Sequence, residues 1–126
     1  MKIPSEYLPV MPYIITDDAT GFLEFTKKVF GATVQMIVPG DAGRNIMHGE
    51  IKIFDAVIMF ADKPDNFDTR GCGMFIYVEG VDGIYQNAIG DNCKSLMQPA
   101  QQEYGYTAGF EDRYGNQWWI VEGEKE

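Results

Sequence analysis

The same order of hydropathy patterns runs through this chain twice, and that doubling limits its architecture more than any single motif. Residues 10–61 read strand, helix, strand, strand, strand. Val10–Thr16 is a β-type run broken by Pro12. Asp17-Asp18 then offers helix N-caps, and Phe22, Leu23, Phe25, Val29 and Phe30 recur at spacings of three and four, which predicts a helix over 19–30. Gly31 stops it as a left-handed cap. Thr33–Val38 is a short β-branched run, Pro39–Gly43 a turn, Ile46–Phe54 an alternating strand and Val57–Ala61 an apolar one. A polar segment from Lys63 to Gly71 reads as a linker. The pattern then restarts with a strand at Gly73–Glu79, a helix at Val81–Gly90 weakened by Gly83, and strands near Lys94–Met97, Tyr104–Glu111 and Gln117–Glu122.

Each repeat supplies one helix for one face of a four-stranded sheet, and leaves the opposite face uncovered. The fold class is therefore α+β, with two β-α-β-β-β modules, about 8–63 and 72–123, joined by a linker at 64–71. Two such modules can form a curved mixed sheet around a cleft, a common setting for a small-molecule site.

Composition narrows the ligand classes. Ten Lys and Arg against 19 Asp and Glu give a formal net charge of −9. That balance argues against nucleic acid, whose phosphates need clustered basic residues, and against a polybasic membrane anchor. No signal-peptide pattern opens the sequence and no apolar run is long enough to span a bilayer, so a cytoplasmic protein is expected. Cys72 and Cys93 are too few for a disulfide framework and read as free thiols. Two Trp, seven Tyr and eight Phe are a rich supply of rings; they fill a core or line a pocket. No nucleophile elbow, Walker A or dinucleotide fingerprint is present.

The doubled order, the segments ITDDATGFLEFTKKVFGA (15–32) and HGEIKIFDAVIMFAD (48–62), and above all GFEDRYGNQWWIVE (109–122) resemble the vicinal oxygen chelate superfamily. That group includes glyoxalase I, bleomycin-resistance proteins, fosfomycin-resistance enzymes and extradiol dioxygenases. The wording is most similar to its PhnB-like branch, over roughly residues 8–123. The resemblance implies metal ligands, usually His and Glu, at matching points of the two modules. By register these points fall at Pro12, Met59, Gly73 and Trp119, none of which suits a hard divalent metal. The single histidine, His48, excludes a multi-His site within one chain. The expectation is therefore no metal and no cofactor.

If the ligand positions mark the inner face, Val57, Met59, Ala61, Phe75, Tyr77, Gln117, Trp119 and Val121 share it, because strand side chains alternate. His48 and Glu50 lie on one face of their strand; they contact a ligand, exchange protons with it, or belong to a solvated face that Lys52 continues. The candidate ligand-binding set is His48, Glu50, Met59, Phe75, Tyr77 and Trp119, with Tyr104 and Tyr106 at its edge. Glu111 and Asp112 can serve the site or the turn beside them, and Cys72 is a further candidate nucleophile. The expected function is metal-independent binding of an apolar or aromatic small molecule by stacking. A divergent lyase, isomerase or transferase using His48 and Glu50 is the alternative, as is a metal enzyme with ligands elsewhere. The resemblance also implies a homodimer, with modules paired within one chain or across two.

Overall fold

The computed structural model describes residues 1–41 and 43–124; Ala42, within the expected 39–43 turn, lies outside them. The chain divides into two compact units, Met1–Gly71 and the chain from Cys72 onward. The first contains β1 (Tyr13–Thr16), α1 (Ala19–Phe30), β2 (Thr33–Pro39), β3 (Ile46–Ile53) and β4 (Ala56–Asp62). The second contains β5 (Gly73–Val78), α2 (Val81–Gly90), β6 (Lys94–Gln102), β7 (Gly105–Glu111) and β8 (Gln117–Glu122). Each unit has one four-stranded mixed sheet, in the orders β1-β4-β3-β2 and β5-β8-β7-β6. The first strand of each pairs parallel with the last, and the other pairs are antiparallel.

The helix faces form the cores. α1 packs on β1, β3 and β4, with the Phe22 and Phe60 rings 5.3 Å apart. Gly49 is required there, because a Cβ would sit 2.4 Å from the Phe60 ring. α2 packs on β6, β7 and β8 above Phe110, Trp118 and Ile120, all fully buried. The helix starts are fixed in matching ways. Asp18 caps α1 by accepting from Gly21 N, and the Asp62 carboxylate at the end of β4 accepts from Ala19 N at 2.8 Å. α2 begins at Gly80 without a side-chain cap of its own. Instead the Glu122 carboxylate, at the end of β8, accepts from Val81 N at 3.1 Å. The repeat is thus chemical as well as topological: in each unit the last strand ends in a carboxylate that closes the helix start.

Several boundaries differ from expectation. β1 starts at Tyr13, after Pro12, which has no N–H to give to a ladder. β6 runs on to Gln102, well past Met97. Pro99 is tolerated because β6 is an edge strand with register shifts around Met97. Within the linker, Arg70 exchanges two backbone hydrogen bonds with Ile15, so the segment's end is held against β1. No helix among the described residues is long and apolar enough to cross a membrane.

Candidate functional site

Register decides what the uncovered face of each sheet carries. In the first unit Glu50 lies opposite Met59, and Tyr13 lies beside Met59 in the parallel pair. Tyr13, His48, Glu50 and Met59 therefore share the face away from α1. In the second unit Gly109 lies opposite Trp119, and Phe75 beside it. Phe75, Tyr77, Gly109 and Trp119 share the face away from α2. Both edge strands shift register at the same point, between Val34 and Met36 in β2 and between Ser95 and Met97 in β6. The shifts make Glu50 and Gly109 equivalent, and Met59 and Trp119 equivalent. One repeat keeps a carboxylate where the other has no side chain, and the missing side chain makes room for an indole.

The first face is a polar network. His48 Nε2 lies 2.8 Å from Glu50 Oε2, and Gln35 donates to Glu50 Oε1 at 2.9 Å. Gln35 is the residue passed over at the β2 shift, and a bulge commonly re-aims a side chain in this way. The Tyr7 hydroxyl lies 3.0 Å from both Glu50 oxygens, and the Tyr13 hydroxyl lies 3.1 Å from His48 Nδ1. Burial alone would raise the Glu50 carboxyl, but the hydrogen bonds from Gln35, His48 and Tyr7, with the His48 charge, outweigh it and hold the group below its usual range. The same Glu50 contact, with burial and the charges of Glu50 and Glu6, raises the Tyr7 phenol.

Of the readings open for the His48–Glu50 pair, a solvated face does not hold for Glu50. Glu50 is only 2% exposed and accepts hydrogen bonds from Tyr7 and Gln35. Sequence reasoning singled out neither residue: Tyr7 is 43 positions from Glu50, and no local pattern links them. In the sequence Tyr13 is only one residue of a strand run.

The second face is aromatic. Phe75 and Tyr77 are 57% and 61% exposed, with ring centroids 5.6 Å apart, edge to face. Tyr104 adds a third ring 6.3 Å from Phe75. The Trp119 ring lies over Gly109, where a Cβ would come within 2.4 Å of it. Tyr106 departs from expectation, since its hydroxyl donates to Asp82 on α2 at 2.7 Å. It braces the helix and does not edge this face. Asp112 is also structural: its carboxylate accepts from Tyr114 N, Asn116 N, Asn116 Nδ2 and Trp118 Nε1. Cys72 is a poor nucleophile, because burial and the Asp112 charge raise its thiol.

The donor set does not fit a metal. Met59 and Trp119 occupy equivalent sheet positions, and neither they nor Pro12 and Gly73 offer an oxygen or imidazole ligand. Among the described residues no group of three or more His, Cys, Asp or Glu could hold a metal ion.

No family model matches the sequence, and no curated protein matches it. Solved structures do match closely in fold. Protein PA1353 from Pseudomonas aeruginosa superposes with a TM-score of 0.78 at 16% identity, over 94% of this chain and 100% of that one. A putative 3-demethylubiquinone-9 3-methyltransferase, PhnB protein, from Bacillus cereus gives 0.73 at 17% identity, over 92% and 100%. A glyoxalase/bleomycin resistance protein/dioxygenase superfamily member from Sphaerobacter thermophilus gives 0.66 at 18% identity, over 92% and 98%.

Proposed function

We propose that this chain, which has the glyoxalase/bleomycin-resistance/dioxygenase fold, is a metal-independent small-molecule binding protein. Its ligand is apolar or aromatic and stacks on Phe75, Tyr77 and Trp119, in the cleft that the family resemblance implies. His48, Glu50 and Met59, on the first sheet, complete the proposed ligand-binding set. The observation that carries this reading is the aromatic face itself. Phe75 and Tyr77 are left more than half exposed beside Trp119, and a planar ligand stacked on one ring of this face would cover its neighbours in part. The absence of a carboxylate or imidazole at the equivalent Met59 and Trp119 positions argues the same way, since Lewis-acid chemistry needs such donors.

The working form we propose is cytoplasmic and dimeric, with modules paired within one chain or across two. β2 is an edge strand exposing Val34, Met36, Ile37 and Val38, and such an edge invites pairing. Metal analysis of the purified, dialysed protein tests metal independence. Substoichiometric Ni, Zn, Mn and Fe is expected, and one tightly held metal per chain would overturn it. Ligand-observed NMR against a panel of planar aromatic compounds tests the binding class. Aromatic compounds should bind in preference to aliphatic ones of equal size; equal binding of both would count against stacking.

A further inference from the structure

Three side chains on the uncovered face of the first sheet stand in line, and their protonation follows from the buried end. Glu50 already accepts from Gln35 and Tyr7, and an ionised carboxylate can only accept. His48 Nε2, 2.8 Å from Glu50 Oε2, must therefore carry the imidazole proton. In the neutral ring Nδ1 then holds a lone pair, so the Tyr13 hydroxyl, 3.1 Å away, donates to it. The phenol oxygen keeps its own lone pairs for an external partner. Exposure rises along the line, from 2% at Glu50 to 26% for the His48 side chain and 47% at Tyr13. A buried carboxylate orients an imidazole, which in turn orients an accessible hydroxyl; that is the general logic of an activated hydroxyl group.

We propose that Tyr13, His48 and Glu50 form a proton relay that abstracts a proton from a small, planar carbon acid. The substrate C–H bond breaks and leaves its electron pair on the substrate. The proton joins the Tyr13 oxygen while the phenol's own proton passes to His48 Nδ1. The products are a substrate carbanion or its rearranged anion, an intact phenol, and an imidazolium held against Glu50. No electron changes hands and no co-reactant is consumed. Tyr13 is the catalytic residue, and Glu50 a positioning residue. The relay lies wholly within the first unit. It goes beyond the binding reading and does not depend on Trp119.

Two measurements test it. His48 is the only histidine, so ¹⁵N NMR of the ring needs no assignment. The Nε2–H tautomer is expected, with the Nδ1 resonance moved by Tyr13→Phe and the tautomer preference lost in Glu50→Gln. The activity probe is 5-nitrobenzisoxazole, a planar carbon acid. Loss of its ring proton forms a nitrile, breaks the N–O bond and releases a coloured phenolate. Tyr13→Phe, which removes one oxygen from a half-exposed ring, should slow this reaction by about 100-fold. A ring protonated at Nδ1, or equal rates for the wild type and Tyr13→Phe, would overturn the proposal. Trp119→Ala keeps the two claims apart: the binding reading predicts lost affinity there, and the relay predicts lost turnover in Tyr13→Phe.

Discussion

Replacing Gly109 by Ala tests the packing on which the aromatic face depends. The added Cβ would lie 2.4 and 2.5 Å from two atoms of the Trp119 ring, about 1 Å inside ordinary contact between carbons. Gly109 has no positive φ to lose, so the backbone accepts Ala and the whole cost falls on the indole. Overpacking of this kind costs about 1–3 kcal/mol. Trp119 is half-buried and can swing outward, which sets the expectation near 1–2 kcal/mol, or a fall in Tm of roughly 4–8 °C for a chain of this size. The assay is a double-mutant cycle by thermal and urea unfolding, with Trp119→Ala as the second substitution. Once the indole is gone, Gly109→Ala should be neutral, or stabilising by a few tenths of a kcal/mol through reduced chain entropy. If the penalty persists without Trp119, or never appears, the ring does not lie over Gly109 and the missing side chain there is not what makes room for the indole.

Other outcomes follow from single residues. Phe54 sits at φ 53° in the β3–β4 turn with its ring exposed, so Phe54→Gly should stabilise the protein by about 1 kcal/mol in urea unfolding. The Tyr7–Glu50 contact should hold across a bounded pH window. Glu50 is held low, so its contribution is complete above the ordinary carboxylate range and is lost as pH falls through its depressed folded value. Tyr7 is held high, so its contribution is complete below the ordinary phenol range and is lost as pH rises through its elevated folded value. Hydrogen exchange at residues 5–9 should report both edges, and a flat profile in Glu50→Gln would assign the acid edge to this carboxyl. The Cys93 thiol is pushed up to about 12 by burial and by Asp112 and Asp91, against a smaller lowering by Arg113. It should react with a chromogenic disulfide at neutral pH only after unfolding.

What the sequence discloses divides by range. Helix α1 is legible because Phe22, Leu23, Phe25 and Val29 make one stripe between Asp18 and Gly31, and all four are buried. The alternation in β3 likewise assigns Gly49 and Ile51 to one face and His48 and Glu50 to the other. The extent of β6 is not legible, because Pro99 reads as a strand breaker until its place at a sheet edge is known. Nor is the environment of Glu50. A half-exposed alternating strand and a buried carboxylate have the same local pattern, and the difference is made by Tyr7 and by a bulge that turns Gln35 inward. Asp112 shows the reverse case. Its place before a turn is readable, but the hydrogen bond that Trp118 Nε1–H donates to its carboxylate is not.

The central question is whether the face bearing Trp119 takes up an aromatic ligand without a metal. The direct measurement is a fluorescence titration of chelator-treated protein with anilinonaphthalene sulfonate, an aromatic probe with a flat naphthalene ring, run on the wild type and on Trp119→Ala. Saturable binding that is indifferent to chelator and at least about tenfold weaker in Trp119→Ala, a difference of about 1.4 kcal/mol, is the predicted result. Binding that appears only when a divalent metal is restored, or that is equal in the two proteins, would contradict it.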